Sequence, residues 1–170
     1  LDDTLWGGTI GDDGVEGIVL GPDHGPRGEA FADWQAYLAG LARRGVVLAV
    51  CSKNSAELAA PGLTHPAGAL RREHFAAFVC RWDDKAAGLR DVAAAIGVGL
   101  DSLVFADDNP AECALVRALL PEVAVVDLGS DPAQFVARLE AGHWFDLAAY
   151  TPADLQRTAS YAAREQSRAA

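Results

Sequence analysis

Short apolar runs alternate with longer segments of helical character along most of this chain, and that alternation limits the fold more than any other feature. Strands are predicted over 46–50, 75–79, 103–106 and 123–126. Helices are predicted over 29–44, 84–96 and 110–120, and two more are predicted to begin at Asp131 and Thr151. Short apolar strands separated by helices are typical of a mostly parallel sheet with helices on both faces. The sequence therefore predicts a Rossmann-like α/β fold.

A segment rich in glycine and aspartate, over 7–26, precedes the first predicted helix. The pair Asp13-Gly14 favours a tight turn, and strand-favouring residues flank it at 9–10 and 18–20. This pattern predicts a β-hairpin that forms a flap next to the N-terminal residues.

Size, charge and cysteine content limit the class of protein. A chain of 170 residues, 51% of them apolar, is long enough for a single domain with a core, which we place over 1–170. The net charge of -10 is unfavourable for a nucleic-acid surface, which needs clustered lysine and arginine. No apolar stretch is long enough to cross a bilayer and no signal peptide is evident, so we expect no membrane partner. The three cysteines lack metal-ligand spacing and favour a reducing cytoplasm; they are Cys51, Cys80 and Cys113.

Polar side chains cluster at three places where strands end or are expected to end. They are Asp2 with Thr4, Ser52 with Lys53 and Asn54, and Asp107 with Asp108. Because ligands of open α/β sheets bind at the carboxyl ends of the strands, these clusters predict one shared site. Each cluster alone also has an ordinary explanation, since such residues cap helices and form turns.

The order of these clusters resembles the haloacid dehalogenase superfamily. Residues 1–4 match the end of an Asp-x-Asp-x-Thr signature whose leading Asp would lie just before Leu1. The rest of the pattern follows in order along the chain: Ser52, Lys85 and the pair Asp107-Asp108. The leading Asp and the apolar strand that should carry it are absent from the sequence, and we expect both in a longer protein.

This resemblance implies phosphoryl transfer in which the leading Asp is the nucleophile. Asp2 would act as general acid and base, and Lys85 would neutralise charge on the nucleophile and the phosphate. A Mg²⁺ ion would bind the nucleophile and the backbone carbonyl of Asp2, with Asp107 and Asp108 completing the metal site. Substrate and phosphate contacts would come from four polar residues: Thr4, Ser52, Lys53 and Asn54.

Longer stretches resemble the FkbH-like branch of that superfamily. They are 1–14, 50–54, 82–85, 105–112 and 151–161. The resemblance implies a glyceryl transferase/phosphatase that takes 1,3-bisphosphoglycerate, a phosphorylated three-carbon molecule, and passes the glyceryl unit to an acyl carrier protein in polyketide assembly. Cys51 would carry that unit as a thioester, and we predict that Lys53 and the N-terminus of the following helix lower its thiol pKa. A small buried cysteine is the alternative of equal weight.

Departures from that branch leave two other functions open. Arg81 and Gly88 stand where asparagine is expected, and 55–70 is irregular. One alternative is a plain small-molecule phosphatase of the same superfamily. The other is an inactive domain that only docks an acyl carrier protein. Trp6 and Trp82 flank the site in sequence, and either shape it or pack in the core.

Overall fold

Four short strands form two parallel pairs. In the computed structural model, which describes residues 1–146, 156–157, 160–161 and 163, strand β1 (Leu48–Ser52) pairs with β2 (Phe75–Cys80). Strand β3 (Val104–Asp107) pairs with β4 (Ala124–Asp127) in the same parallel sense. Each strand lies within two residues of its predicted position, so the predicted strands are confirmed.

In the part of the chain that the structure describes, six α-helices with defined bounds precede, connect or follow these strands. They are α1 (Ile10–Gly17), α2 (Gly25–Arg43), α3 (Ala56–Ala59), α4 (Lys85–Ile96), α5 (Pro110–Leu119) and α6 (Phe135–Glu140). Single 3-10 turns cover Pro22–His24, Ala60–Thr64, Arg72–His74, Leu100–Ser102 and Pro132–Gln134. Among the described residues, no helix is long and apolar enough to span a membrane. The start of the helix predicted at Thr151 lies outside the described residues.

Local sequence explains where the helices next to the site begin and end. The Asp84 side chain accepts a hydrogen bond from the Ala87 amide and caps α4, which ends at Gly97 with a φ of 80°. Asn109 caps α5 in the same way, through the amide of Ala111. These caps fix the first turns of α4 and α5 directly behind the ends of the strands.

Helices cover both faces of the strands, as predicted. On one face, Val50 and Val126 pack in a core cluster with Trp34 of α2 and Phe135 of α6. On the opposite face, Phe105 packs in a second cluster with residues of α4 and α5, namely Ala86, Leu89, Cys113 and Val116. Because side chains alternate along a strand, the two clusters lie on opposite sides of the sheet layer.

The predicted flap has a helix where a hairpin turn was expected. Gly7 and Val19 form one antiparallel bridge with two hydrogen bonds of 3.0 and 2.8 Å, so the two flanks do meet. Between them, α1 replaces the predicted strands, and Gly14 bends it with a φ of 68°. At the start of this segment, the Asp13 carboxylate accepts a hydrogen bond from the amide of Thr9, and the Asp2 carboxylate accepts one from the amide of Ile10. The hairpin prediction was wrong there because side chains satisfy amides that a second strand would otherwise bind.

A cavity of about 510 Å³ separates the two strand pairs. Its walls include 46–51 on one side and 103–107 on the other, and Leu1 and Trp34 also line it. The described strands therefore lie in two hydrogen-bonded pairs, with β1 and β3 facing each other across a largely apolar space.

Candidate active site

The first five residues form a tight turn that positions the first acidic cluster. The amides of Thr4 and Leu5 both donate to the carbonyl of Leu1, at 3.0 and 2.7 Å. Asp3 has a φ of 54°, in the left-handed region that aspartate tolerates in turns. This turn places Asp2 beside the first residues of the flap.

Three donors hold the carboxylate of Asp2. Its Oδ1 accepts from the Trp6 indole nitrogen at 2.9 Å and from the Ile10 amide at 3.2 Å. Its Oδ2 accepts from the side-chain amide of Asn54, which lies beyond the end of β1, at 3.1 Å. Trp6 is fully buried and Asn54 nearly so. The structure thus joins the N-terminal motif to the cluster that follows β1.

Thr4 links the N-terminal motif to the end of β3. Its hydroxyl donates to Asp108 Oδ1 at 2.6 Å and lies 3.5 Å from the backbone carbonyl oxygen of Asp2. Burial raises the pKa of the Asp108 carboxyl; the nearby charge of Asp107 adds to this, while the hydrogen bond from Thr4 opposes it.

Lys85 and Asp107 form a buried ion pair. Lys85 Nζ lies 2.5 Å from Asp107 Oδ2, and both side chains are at least 90% buried. Asp107 Oδ1 also accepts from the amide of Asn109, so both oxygens have partners. The pair connects the first residue of α4 to the last residue of β3.

The amino group of Leu1 lies among these charged groups. This backbone nitrogen is buried, and the charged side chains around it are Lys85, Asp107, Asp2 and Asp108. The charged side chains of three separate segments therefore surround this one nitrogen.

The residues that follow β1 contact carboxylates. Lys53 pairs with Glu112 of α5 at 2.5 Å, and Asn54 binds Asp2 as described above. Ser52 is buried at the end of β1, and its carbonyl accepts from the amide of Arg81. The structure brings Asn54 and Thr4 into the acidic cluster, and their predicted contacts with phosphate stay predictions.

The thiol of Cys51 has a different environment from the one predicted. Its Sγ donates to the carbonyl of Lys85 at 3.6 Å and packs against Gly88 of α4. Burial raises the thiol pKa to about 11, although the positive charge of Lys85 opposes the shift. The predicted lowering of the pKa was wrong because Lys53 turns to Glu112 and the thiol faces the apolar side of α4. Cys80 also has a raised pKa, through burial, and Cys113 is fully buried.

Trp6, for which the sequence left open a role in the site or in the core, has both: its indole binds Asp2 and its ring is fully buried. Its contact with Asp2 depends on the turn over 1–5, which brings residues 2 and 6 together. The four-residue spacing alone does not predict this contact, because the turn is not evident from the sequence. Trp82, the second tryptophan near the site in sequence, is 73% exposed.

Two oxygen groups of this chain could hold a divalent cation. The backbone carbonyl oxygen of Asp2 and the carboxylate of Asp108 both lie within 3.5 Å of the Thr4 hydroxyl. Both carboxylate oxygens of Asp107, the third predicted ligand, already bind Lys85 and the amide of Asn109, and its role at the metal stays a prediction. Among the described residues, no three acidic, histidine or cysteine side chains form a metal-binding group by themselves. Mg²⁺ typically uses one or two carboxylates together with water and substrate phosphate, so this hard-oxygen set fits Mg²⁺ once further ligands are added.

Parallel strands with helices on both faces define an open α/β fold. Its polar groups lie at the carboxyl ends of the strands, where such folds bind their ligands. No family model and no curated protein matches the chain. A solved structure does match, the N-terminal part of the protein BF1531 from Bacteroides fragilis, which contains a phosphatase domain and is complexed with Mg. The chain is 39% identical to it, with a TM-score of 0.83.

The match covers 88% of this chain and 40% of the Bacteroides fragilis chain, so this chain spans less than half the length of the chain that it matches. The predicted α/β fold of haloacid dehalogenase type is confirmed by this similarity to a phosphatase domain. The FkbH-like branch, the carrier partner and the roles of individual residues stay predictions.

Proposed function

We propose that this chain is a Mg²⁺-dependent phosphatase domain of haloacid dehalogenase type whose nucleophile is an aspartate joined to the amino group of Leu1. The position of that nitrogen carries the proposal, because the charged side chains around it are Lys85, Asp107, Asp2 and Asp108. The phosphatase domain of BF1531, complexed with Mg and 39% identical to this chain, supports the same assignment.

The cavity between β1 and β3 supports a strand at this position. Both strands present backbone groups toward the cavity, and buried backbone donors and acceptors are nearly always paired. Trp34 lines the same cavity, and its buried indole nitrogen has no hydrogen-bond partner among the described residues. A strand parallel to β1 and β3 would pair with both and would end at the amine of Leu1.

The side chains of this site have distinct tasks in the proposed reaction. The nucleophilic carboxylate attacks phosphorus to form an aspartyl-phosphate, and the leaving oxygen takes a proton from Asp2. Asp2 then accepts a proton from the water that attacks the aspartyl-phosphate, which releases inorganic phosphate and restores the carboxylate. Lys85 lowers the repulsion between the two anions, and Ser52 would donate to a phosphoryl oxygen. Bound Mg²⁺ would neutralise phosphate charge, with the Asp2 carbonyl and Asp108 as its ligands from this chain.

Phosphate release by the full-length protein tests this proposal. With Mg²⁺ we expect turnover of p-nitrophenyl phosphate that EDTA abolishes and that fresh Mg²⁺ restores. Replacing the residue before Leu1 by asparagine should abolish turnover, and Asp2→Asn should reduce it by about 10² to 10⁴. Turnover that persists in EDTA, or after the nucleophile is replaced, would contradict the proposal.

The resemblance to the FkbH-like branch supports a more specific reaction, in which Cys51 attacks the carbonyl carbon of 1,3-bisphosphoglycerate. Phosphate leaves with the bonding electrons, a base takes the thiol proton, and the glyceryl thioester passes to the thiol of an acyl carrier protein. One contact favours Cys51 for this role: its Sγ lies against the carbonyl of Lys85, the proposed phosphate partner. Because burial raises the thiol pKa to about 11, this reaction needs a base at the thiol. Free thiols also fit the predicted cytoplasmic location.

Intact-protein mass spectrometry separates these reactions. We expect a glyceryl adduct on the Cys51 peptide after incubation with 1,3-bisphosphoglycerate and Mg²⁺. The adduct should be absent in Cys51→Ala and present in the control Cys80→Ala. Phosphate release without an adduct would indicate a plain phosphatase. The absence of both phosphate release and adduct would favour a domain that only docks a carrier protein.

A further inference from the structure

We infer that Trp6 and Asn54 are positioning residues that fix the carboxylate of Asp2 and direct its proton transfer through Oδ2. The inference rests on the proposed function, because it assumes that Asp2 is the general acid and base. It adds two residues that act through Asp2 and names the oxygen that carries the proton.

The argument for Oδ2 comes from the distribution of donors. Each carboxylate oxygen has two lone pairs. Oδ1 receives two hydrogen bonds, from the Trp6 indole at 2.9 Å and the Ile10 amide at 3.2 Å, so both of its lone pairs are used. Oδ2 receives one, from Asn54 at 3.1 Å. Only Oδ2 therefore keeps a lone pair for the proton that is exchanged with the leaving group or with water.

The donors are themselves held in place. The Trp6 ring is fully buried and lies so close to Gly62 that a Cβ there would sit 2.6 Å from the ring edge and 2.6 Å from Ile10 Cδ1. Asn54 Oδ1 accepts from the Ser55 amide at 2.8 Å, which orients the amide nitrogen toward Asp2. Rotation of the Asp2 carboxylate would break at least one of the three bonds, so its orientation is fixed before substrate binds.

The consequence depends on the leaving group. An alcohol or phenol that leaves poorly needs the proton from Asp2, whereas p-nitrophenolate leaves readily without one. Loss of a positioning donor should therefore reduce turnover of poor substrates selectively. Trp6 binds Asp2 in this structure and is not among the predicted phosphate contacts, so loss of its N–H should not change ground-state binding of phosphate.

The test compares phenyl phosphate with p-nitrophenyl phosphate, using the full-length protein with Mg²⁺. Trp6→Phe removes the indole N–H and keeps an aromatic ring in the core. We expect its kcat/KM to fall about tenfold for phenyl phosphate and less than about threefold for p-nitrophenyl phosphate. The Ki of inorganic phosphate should stay unchanged.

Trp34→Phe is the matched control, because Trp34 is also a buried core tryptophan but is not one of the three donors to Asp2. It should affect both substrates equally. If Trp6→Phe also reduces both equally, or raises the Ki of phosphate, Trp6 has a packing or binding role and the inference is wrong. If Trp6→Phe fails to fold, as judged by circular dichroism, Asn54→Ala repeats the comparison of the two esters at the other oxygen. The Ki of phosphate is not part of that repeat, because Asn54 is also a predicted phosphate contact. A wild type that hydrolyses neither ester would overturn the proposed function, and the inference with it.

Discussion

The acidic cluster around Asp2 and the thiol of Cys51 lie near the same strand ends, but their surroundings differ. Asp2, Asp107 and Asp108 each accept hydrogen bonds from donors on other segments. The Cys51 thiol contacts a backbone carbonyl and a helix surface, and burial raises its pKa to about 11. Preorganised donors are typical of groups that work as anions, whereas an apolar pocket favours the neutral thiol. The carboxylates are therefore held by fixed donors, as the proposed phosphate chemistry requires, while the proposed acyl transfer would require an additional base at the thiol.

The buried ion pair gives the largest expected effect within the acidic cluster. Lys85→Met leaves Asp107 buried without its cation, and we expect it to lower the free energy of unfolding by about 3 to 5 kcal/mol. Urea denaturation measures this value. The charge is removed while a side chain of similar length is retained, so lost packing contributes little.

Lys53→Met is the matched control for that prediction. In this pair Lys53 is 37% and Glu112 15% exposed, so solvent screens it more than the Lys85–Asp107 pair, and we expect a smaller loss of about 1 to 2 kcal/mol. Equal losses in the two variants would contradict the view that burial distinguishes the Lys85–Asp107 pair.

The fold was largely predictable because its signals are local. Apolar runs gave all four strands, and caps such as Asp84 with Gly97 gave the bounds of α4. The start of α2 was missed by four residues because the helix begins before the apolar spacing does, with Pro26 in its first turn. The helix α1 within the flap was not predicted because its first amide, that of Ile10, binds the side chain of Asp2, eight residues earlier in the chain. That contact favours a helix over a strand and is not evident from the local sequence.

The hydroxyl of Thr4 tests the acidic cluster at its other end. Thr4→Val removes the 2.6 Å hydrogen bond to Asp108 and keeps the side-chain shape, so we expect a loss of about 1 to 2 kcal/mol in the free energy of unfolding. The pKa of Asp108, already raised by burial, should rise further because the Thr4 bond holds it down. Carbon-detected NMR titration of the carboxyl measures that shift. Thr4→Ser keeps the hydroxyl and should leave the Asp108 pKa unchanged; a shift as large as in the valine variant would contradict the assignment.

The sequence predicted which residues lie at the site better than it predicted the contacts that they make. Strand ends of a parallel sheet meet at one edge, which placed Asp2, Ser52 and Asp107 in one region of the fold. The sequence could not assign the partner of Trp6, since that contact requires the turn in which Asp3 has a positive φ. Nor could it orient Cys51, because a shift of one residue along a strand exchanges the two faces.

Close packing between Cys51 and Gly88 tests the thiol region. A Cβ at Gly88 would lie 2.7 Å from the Cys51 sulfur, so Gly88→Ala should crowd the thiol although alanine favours the helix. In a Cys51→Ala background the same change should be stabilising. We expect a coupling free energy of about 1 kcal/mol from the double-mutant cycle, measured by urea denaturation. Additive effects would show that the sulfur does not occupy this position.

The smallest effect concerns reactivity and leaves the fold intact. With a pKa raised from 9.0 to about 11, the Cys51 thiol should be alkylated by iodoacetamide at pH 8 about 100-fold more slowly than an unshifted thiol. A folded pKa above the unfolded value stabilises the protein below pH 9.0, and this stabilisation is lost as pH rises through about 11. Peptide mass spectrometry measures the rates for Cys51 and for Cys80, the more exposed internal control, in one sample. If Cys51 reacts faster than Cys80 at pH 8, the thiol is activated, and acyl transfer would not need a further base.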